Sequence, residues 1–309
     1  MPENVKKNIA RKIRNEHPSG QVRRQPVQEG QHGDGGEITP ESLAGYGFDF
    51  TLYDRSFFAK RVAERMLVTL STTFDDYRLY VACHHEEAQL LFAALHICHS
   101  EYFRDPLSFA LLEQVILPRL AEQKHNAGAT GIRCWSAACA GGQEAYSLAI
   151  TADAFRSSHG KTLSFNIFAT DIAAAELLSA RRGVYDAAAL QNVPLRHLRS
   201  YFTSHGETYA LIPALKDSVT FAQYNLLDEH STCPSESIYG DFDLVFCSNL
   251  LFYYRPEIRQ FILNKMHRRL SREGYLLTGE AEAGIVEKAG GFRPIVQFLP
   301  VFQKIEPRW

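Results

Sequence analysis

The stretch "CWSAACAGGQEAYSLAI", residues 134–150, decides the fold. It begins as an apolar, strand-like run, reaches a pair of glycines and continues at once as a helix-like run of Ala, Tyr, Leu and Ile. In an open parallel sheet the ligand lies beyond the C-terminal ends of the strands, and glycines in the first turn let the backbone approach it closely. The helix that follows offers free N–H groups and its positive end. The stretch therefore predicts a ligand-binding turn between a strand and a helix.

Strand-like and helix-like runs alternate from residue 131 to the end of the chain. The predicted strands lie in GIRCWSA, SFNIFATD, SVTFAQYNL, FDLVFCSNLLFYY and EGYLLTGEAE, and a last helix and a closing pair of strands follow. The segment 185–215 breaks this rhythm, because YFTSHGETYALI is typical of a hairpin. The pattern predicts an α/β domain, an open parallel sheet with helices on both faces and a small β insert.

The chain before residue 131 has a different character. Residues 1–45 are polar, and no aromatic residue precedes Tyr46, so we expect a disordered leader. Residues 1–24 carry an excess of positive charge, which fits a solvated leader better than a phosphate-binding arm. Residues 46–120 have a helical period and predict a small helical domain. Residues 121–130 have the composition of a linker to the sheet domain, residues 131–309.

Composition excludes several function classes. The 309 residues carry a net charge of −2, so no global field favours nucleic acid or a membrane surface. No apolar run approaches the roughly 18 residues that a membrane span needs. The six cysteines form no CxxC pair and follow no signal peptide. We therefore expect a cytoplasmic protein with reduced cysteines.

The glycine turn itself restricts the ligand. Residues 138–144 do not match the GxGxxG dinucleotide fingerprint, and the chain contains no GxxxxGK[ST] phosphate loop. A nucleoside-type ligand without a pyrophosphate remains. Asp171 ends the second strand, where a ribose-binding carboxylate belongs, although an acid there is also a common helix cap. A glycine turn with this acid suits S-adenosylmethionine.

Several motifs together resemble one family, the CheR-type chemoreceptor methyltransferases. The matching segments are SEYFRD, CWSAACAGGQEAYSLAI, FATDI, LRSYFTSHGETYALIPALKDSVTFAQYNLL, FDLVFCSNLLFYY and TGEAE, in the family's order and over about residue 46 to the C-terminus. The resemblance implies a helical domain followed by a Rossmann-like methyltransferase domain with an inserted antiparallel β subdomain. It implies methyl-ester formation on glutamates in the cytoplasmic helices of transmembrane chemoreceptors, with S-adenosylmethionine as donor and S-adenosylhomocysteine as product.

The resemblance also implies roles for particular residues. Arg104 and Tyr253 match active-site positions, and a guanidinium can hold a carboxylate in a fork. The positions implied for the cofactor are Ser100, Ala138, Gly142, Gln143, Glu144, Asp171, Asn225 and Asn249. Two alternatives stay open: an exposed Arg104 paired with Asp105, and an Asn225 that serves only as a turn residue.

The chain departs from the family at positions that bear on activity. Ala138 and Ala145 replace a glycine and a proline, Gln143 replaces an acid, and Ser248 replaces an arginine. We expect Ala138 to be tolerated if its backbone keeps a negative φ. Loss of the arginine leaves two alternatives open: a methyltransferase of this fold with another acceptor, or a catalytically weak module that binds S-adenosylmethionine.

Two further clusters are weaker signals. His96 and His99 could place two metal ligands together, but no further ligands stand at a supporting spacing, so no metal is expected. Lys60, Arg61 and Arg65 form a basic stripe, which is either a solvated face or a docking face for an acidic receptor helix.

Overall fold

A mostly parallel sheet forms the centre of the protein in the computed structural model, which describes residues 38–97, 100–159, 163–234, 237 and 241–306. The strands are β1 (Gly131–Ala137), β2 (Ser164–Asp171), β3 (Val184–Asp186), β4 (Phe202–His205), β5 (Thr208–Leu211), β6 (Val219–Gln223), β7 (Phe242–Phe246), β8 (Leu270–Leu277), β9 (Phe292–Pro294) and β10 (Val301–Lys304). The main sheet has the order β6-β2-β1-β7-β8-β10-β9. Its first five strands are parallel, and β10 is antiparallel to both neighbours. The predicted sheet and its closing pair of strands are confirmed.

Helices cover both faces of this sheet, and further helices form the helical region and flank the β insert. They are α1 (Arg55–Thr69), α2 (Phe74–Cys83), α3 (His85–Leu95), α4 (Pro106–Leu111), α5 (Leu117–Asn126), α6 (Gln143–His159), α7 (Ala174–Arg182), α8 (Leu195–Tyr201), α9 (Pro213–Lys216), α10 (Pro256–Arg269) and α11 (Ala283–Ala289). A short π-helix, Leu112–Ile116, joins α4 to α5. One buried cluster packs α6 against the sheet, and a second packs α10 and α11 against the strands. Each face of the sheet is therefore buried, as its continuous apolar strands require.

The inserted β subdomain follows α7. Gly183, with φ of 61°, ends α7 in the left-handed conformation, and β3 begins at the next residue. β3, β5 and β4 form an antiparallel sheet in that order. The hairpin predicted within 185–215 is confirmed as β4 and β5.

Helices α1–α3 form the core of the helical region. Arg65 donates to both carboxylate oxygens of Glu87, at 2.8 and 2.6 Å, and the Tyr77 hydroxyl donates to the same carboxylate at 2.8 Å. Arg61 pairs with Glu64 at 2.8 Å. The predicted basic stripe is therefore largely neutralised within the helical region, since of its three residues Lys60 alone is exposed.

Two predicted boundaries differ from the structure. Leu43, inside the predicted leader, is fully buried in the helical core, so ordered packing begins before residue 46. Helix α5 continues to Asn126, so most of the predicted linker is helical. Its polar residues Glu122, Gln123 and Lys124 resemble a linker in composition but are also good helix formers. Residues 1–37 of the predicted leader lie outside the described residues. Within the described ranges, no helix is long and apolar enough to cross a bilayer.

Candidate functional site

The turn after β1 is built from left-handed backbone. Ala138, Ala140 and Gly142 have φ values of 58°, 45° and 87°. A Cβ at Gly142 would lie 2.8 Å from the Cβ of Ala180, so the glycine is needed for the close approach of α7. The negative φ on which the tolerance of Ala138 was made conditional is therefore not present. An alanine accepts the strained conformation here because the turn around it is fixed on both sides.

Asp171 is one of the groups that fix this turn. Its Oδ2 accepts from the backbone N–H of Ala140 at 2.8 Å, and its Oδ1 accepts from that of Ala173 at 2.9 Å. The Cys139 N–H donates to the carbonyl of Thr170 at 2.9 Å. Asp171 thus closes a turn just before α7, without capping the helix, and also ties the end of β2 to the glycine turn.

A cleft of about 530 Å³, here called cleft A, opens beyond these strand ends. Asp171, Asn225 and Asn249 line it, together with Ala138 and Tyr253. Its apolar walls include Leu52, Tyr53, Phe92 and Leu95 of the helical region and Leu226, Tyr254 and Phe261 of the sheet domain. An apolar cavity with a few polar groups of this kind suits a nucleoside.

A second cleft, cleft B, has a volume of about 430 Å³. Ser100, Arg104 and Glu144 line it. Ala138, Ser248 and Asn249 line both clefts, so the two meet at these three residues. A ligand in cleft A can therefore present one end to cleft B.

The backbone before Arg104 is held by α6. Phe103 has a φ of 47°, which is uncommon for a residue with a side chain, and its N–H donates to the hydroxyl of Ser147 at 3.0 Å. Arg104 itself is exposed. The Asp105 carboxylate accepts from the N–H and hydroxyl of Ser108, at 3.3 and 2.6 Å, and so caps α4.

Glu144 is the acid with the most altered titration in the site. Loss of hydration raises its pKa to about 7, although hydrogen bonds from Ser136 and Ser248 and the charge of Arg104 act in the opposite direction. The Ser136 hydroxyl donates to Oε1 of Glu144 at 2.7 Å. The carboxyl group can thus change charge near neutral pH.

Some of the other predicted site residues line a cleft, and the rest are absent from the described cleft linings. Tyr253 lines cleft A and packs on Phe57 with ring centroids 4.6 Å apart. Asn225 lines the same cleft, and its Oδ1 accepts from the N–H of Leu227 at 2.9 Å, so it is a turn residue that also lines the cleft, and its bond to the adenine edge stays a prediction. Gly142 and Gln143 are absent from the described linings of both clefts. The Gln143 side chain lies beside Gly141, and its contact with the cofactor stays a prediction.

Sequence analysis missed Glu282. Its side chain is fully buried, and its carboxylate accepts from the N–H groups of Asn249, Leu250 and Leu251 at 2.8, 2.7 and 2.6 Å. It also accepts from the N–H of Gly279 at 2.8 Å. Glu282 therefore shapes the loop that carries Asn249 and leads to Tyr253. The TGEAE motif contained this acid, but three of its four partners are more than 30 residues away in the chain.

The histidine pair gives no metal site in the described part of the chain. His96 lines cleft A, and its Nδ1 lies 2.8 Å from the carbonyl of Phe92. His99 is outside the described residues, among which no group of three or more metal-ligating side chains occurs.

Comparison with known proteins gives the family. The family model described as "CheR methyltransferase, SAM binding domain" matches residues 98–295, more than half of the chain. The chain belongs to the CheR methyltransferase family. The predicted fold class and the predicted cofactor are thereby confirmed.

Curated relatives of this family are similar over most of the same region. "Chemotaxis protein methyltransferase 1" of Pseudomonas aeruginosa is 37% identical over 186 residues, 59% of this chain and 65% of that protein. The "Chemotaxis protein methyltransferase" of Vibrio parahaemolyticus is 35% identical over 60% of this chain and 66% of that protein. That of Listeria innocua is 30% identical over 76% of this chain and 84% of that protein. The chain spans just under two thirds of the first two relatives.

The residues of the site fit the family's cofactor. Asp171 places a carboxylate at the strand end where a ribose would lie, and Asn225 stands beside apolar walls that suit an adenine ring. Glu144 lines cleft B and accepts a hydrogen bond from Ser248, which lines both clefts, so its carboxyl group is placed to meet an ammonium group there.

Proposed function

We propose that this protein transfers the methyl group of S-adenosylmethionine to glutamate side chains of bacterial chemoreceptors and forms methyl esters. The observation that carries the proposal is the junction of clefts A and B at Ala138, Ser248 and Asn249, with Arg104 in the lining of cleft B. Family membership and the names of the curated relatives support the same activity.

The proposed assignment gives each cleft one task. Cleft A would hold the nucleoside, with Asp171 on the ribose hydroxyls and Asn225 on the adenine edge. Ser100, Glu144 and Asn249 would hold the amino-acid end near cleft B. Gly142 shapes the turn from behind, and Gln143 supports it without lining either cleft.

The chemistry requires little beyond alignment. When bound, S-adenosylmethionine supplies a methyl group on a cationic sulfonium, which an ionised carboxylate accepts without a general base. Arg104 would hold that carboxylate by paired N–H donors. Tyr253, which lines cleft A, would close that cleft beside the carboxylate. The apolar residues Tyr53, Phe92 and Leu95 exclude water from cleft A, which favours a reaction in which opposite charges cancel.

The acceptor is proposed to be a cytoplasmic receptor helix. The matched relatives are named for chemotaxis, and cleft B is open to a side chain presented by another protein. Ser248 stands where the family has an arginine. Arg104 is therefore the one cationic side chain among the described residues that line cleft B. Binding of the acceptor carboxylate therefore depends on Arg104.

Methyl transfer from radiolabelled S-adenosylmethionine to receptor-containing bacterial membranes tests the proposal. Label is counted as volatile methanol after base treatment, because a carboxyl ester releases it readily. Base-labile label on receptor bands is expected. An absence of label from protein that binds S-adenosylhomocysteine would contradict the acceptor or the activity, and label on a different protein or a small molecule would identify another acceptor.

A further inference from the structure

A buried lysine stands behind the wall of cleft A. Lys265, in the third turn of α10, has 6% of its residue surface exposed. Its ammonium donates to the carbonyl oxygens of Leu226 and Asp228, at 2.7 and 2.6 Å, and to the Tyr224 hydroxyl at 3.3 Å. A buried charge is tolerated where its donors are satisfied in this way.

The segment that Lys265 holds is part of the cofactor site. Tyr224, Asn225, Leu226, Leu227 and Glu229 all line cleft A, whereas Lys265 itself does not. The segment is a tight turn, in which the carbonyl of Asn225 accepts from the N–H of Asp228 at 3.1 Å. The ammonium thus binds two carbonyls on the side of the turn away from the ligand.

Aromatic rings complete the lysine's surroundings. The ammonium lies 5.4 Å from the ring centroid of Tyr224 and 5.1 Å from that of Phe261, and both rings also line cleft A. The Tyr224 hydroxyl donates onward to the carbonyl of Ser231 at 2.9 Å. One cation therefore fixes the turn and two of the rings that form the cleft wall.

We infer that Lys265 is a positioning residue, which sets the turn at 224–229 so that Asn225 and its neighbours recognise the adenine base. The inference rests on the proposed placement of the nucleoside in cleft A. Lys265 would thus contribute to recognition of the base without touching it. Adenine presents an acceptor at N1 and a donor amine, whereas hypoxanthine presents a donor and an acceptor there. A fixed turn can distinguish the two bases, and a loose turn distinguishes them poorly.

The test measures binding of S-adenosylhomocysteine and S-inosylhomocysteine by calorimetry to the whole chain. The variants are Lys265→Met, which removes all three hydrogen bonds, and Lys265→Gln, which keeps a shorter neutral donor. The control is Lys304→Met, which removes a lysine-to-carbonyl bond of 2.8 Å, to Leu270, far from the described linings of both clefts.

Lys265→Met is expected to lower the affinity for S-adenosylhomocysteine about tenfold or more, since hydrogen bonds from a charged group are lost at the turn. The preference for the adenine ligand should fall with it, Lys265→Gln should lie between, and Lys304→Met should keep native affinity and preference. A folded Lys265→Met protein with native affinity and native preference would overturn the inference, as would an equal loss in Lys304→Met. If Lys265→Met does not fold, native preference in Lys265→Gln overturns it. These outcomes concern binding alone, so they stand apart from any failure of methyl transfer.

Discussion

The Asp171 carboxylate accepts a hydrogen bond from the backbone N–H of Ala140 at 2.8 Å, across the gap between β2 and the glycine turn. The other oxygen of this carboxylate, Oδ1, accepts a hydrogen bond from the N–H of Ala173. The acid thus joins two segments of the site and faces cleft A.

Asp171→Asn should weaken cofactor binding and the fold together. An amide in place of the carboxylate puts an NH₂ group toward a backbone N–H, which costs about 1–3 kcal/mol of folding free energy. Affinity for S-adenosylhomocysteine should fall about tenfold or more, because a charged acceptor for the ribose is lost. Calorimetry and urea unfolding measure the two effects. Asp186→Asn is the control, since its carboxylate accepts from the Ala189 N–H at 2.8 Å in the β subdomain, and native affinity is expected there.

Ala138→Gly should stabilise the protein. Ala138 has a φ of 58°, and a left-handed backbone costs a residue with a Cβ about 1–2 kcal/mol. Glycine removes this strain, but its more flexible unfolded chain offsets part of the gain in stability. A net rise of about 0.5–1 kcal/mol in unfolding free energy is expected. Ala173→Gly, at a φ of −83°, should lower stability instead. Equal effects of the two substitutions would contradict the strain at Ala138.

Glu282→Gln should disturb the loop at 249–251. The buried carboxylate accepts four backbone N–H groups, and an amide cannot accept them all, so a loss of about 2–4 kcal/mol in unfolding free energy is expected. Affinity for S-adenosylhomocysteine should also fall, because Asn249 lines both clefts. Glu287→Gln, an exposed neighbour in α11, is the matched control and should stay within about 0.5 kcal/mol. Native stability in Glu282→Gln would show that the loop is held by other contacts.

Glu144 should make cofactor binding dependent on pH. Burial raises its pKa to about 7, so the carboxyl is neutral below pH 7 and anionic above it. Because an anion is needed opposite the cofactor's ammonium group, affinity should rise with pH through about 7. The free protein should show the opposite trend: the folded state binds the proton more tightly than the unfolded state, so stability falls as pH rises from about 4.5 to about 7. Glu144→Gln should flatten both profiles, and a native pH profile in that variant would assign the titration to another group.

Arg104→Ala should abolish methyl transfer and leave S-adenosylhomocysteine affinity within a few-fold of native. Arg104→Lys keeps the charge but not the paired donors, so turnover should recover only in part. Arg119→Ala, an exposed arginine of α5, should behave as native. Full turnover in Arg104→Ala would remove Arg104 from the proposed reaction.

The sequence predicted the parts of the site that depend on strand ends. The buried runs GIRCWSA and SFNIFATD became β1 and β2 with the predicted bounds, and this placed Ala138 and Asp171 at one edge of the sheet. Glu282 and Lys265 were not predicted, because their partners are backbone groups brought near by the fold. Gln143 is absent from the described linings of both clefts, which the sequence could not predict, because the pattern of strand and helix does not fix the direction of a side chain at the first residue of α6.

The helical region and the sheet domain are also joined far from their covalent connection. Tyr53 and Tyr254 form an isolated antiparallel bridge, with rings stacked 5.4 Å apart, and Asp54 pairs with Arg259 at 3.3 Å. Two backbone hydrogen bonds flank that bridge, from Asp54 N–H to the Tyr253 carbonyl and from Arg255 N–H to the Leu52 carbonyl. A protease cut between α5 and β1 would therefore yield two fragments that elute together, with a wall of cleft A on each.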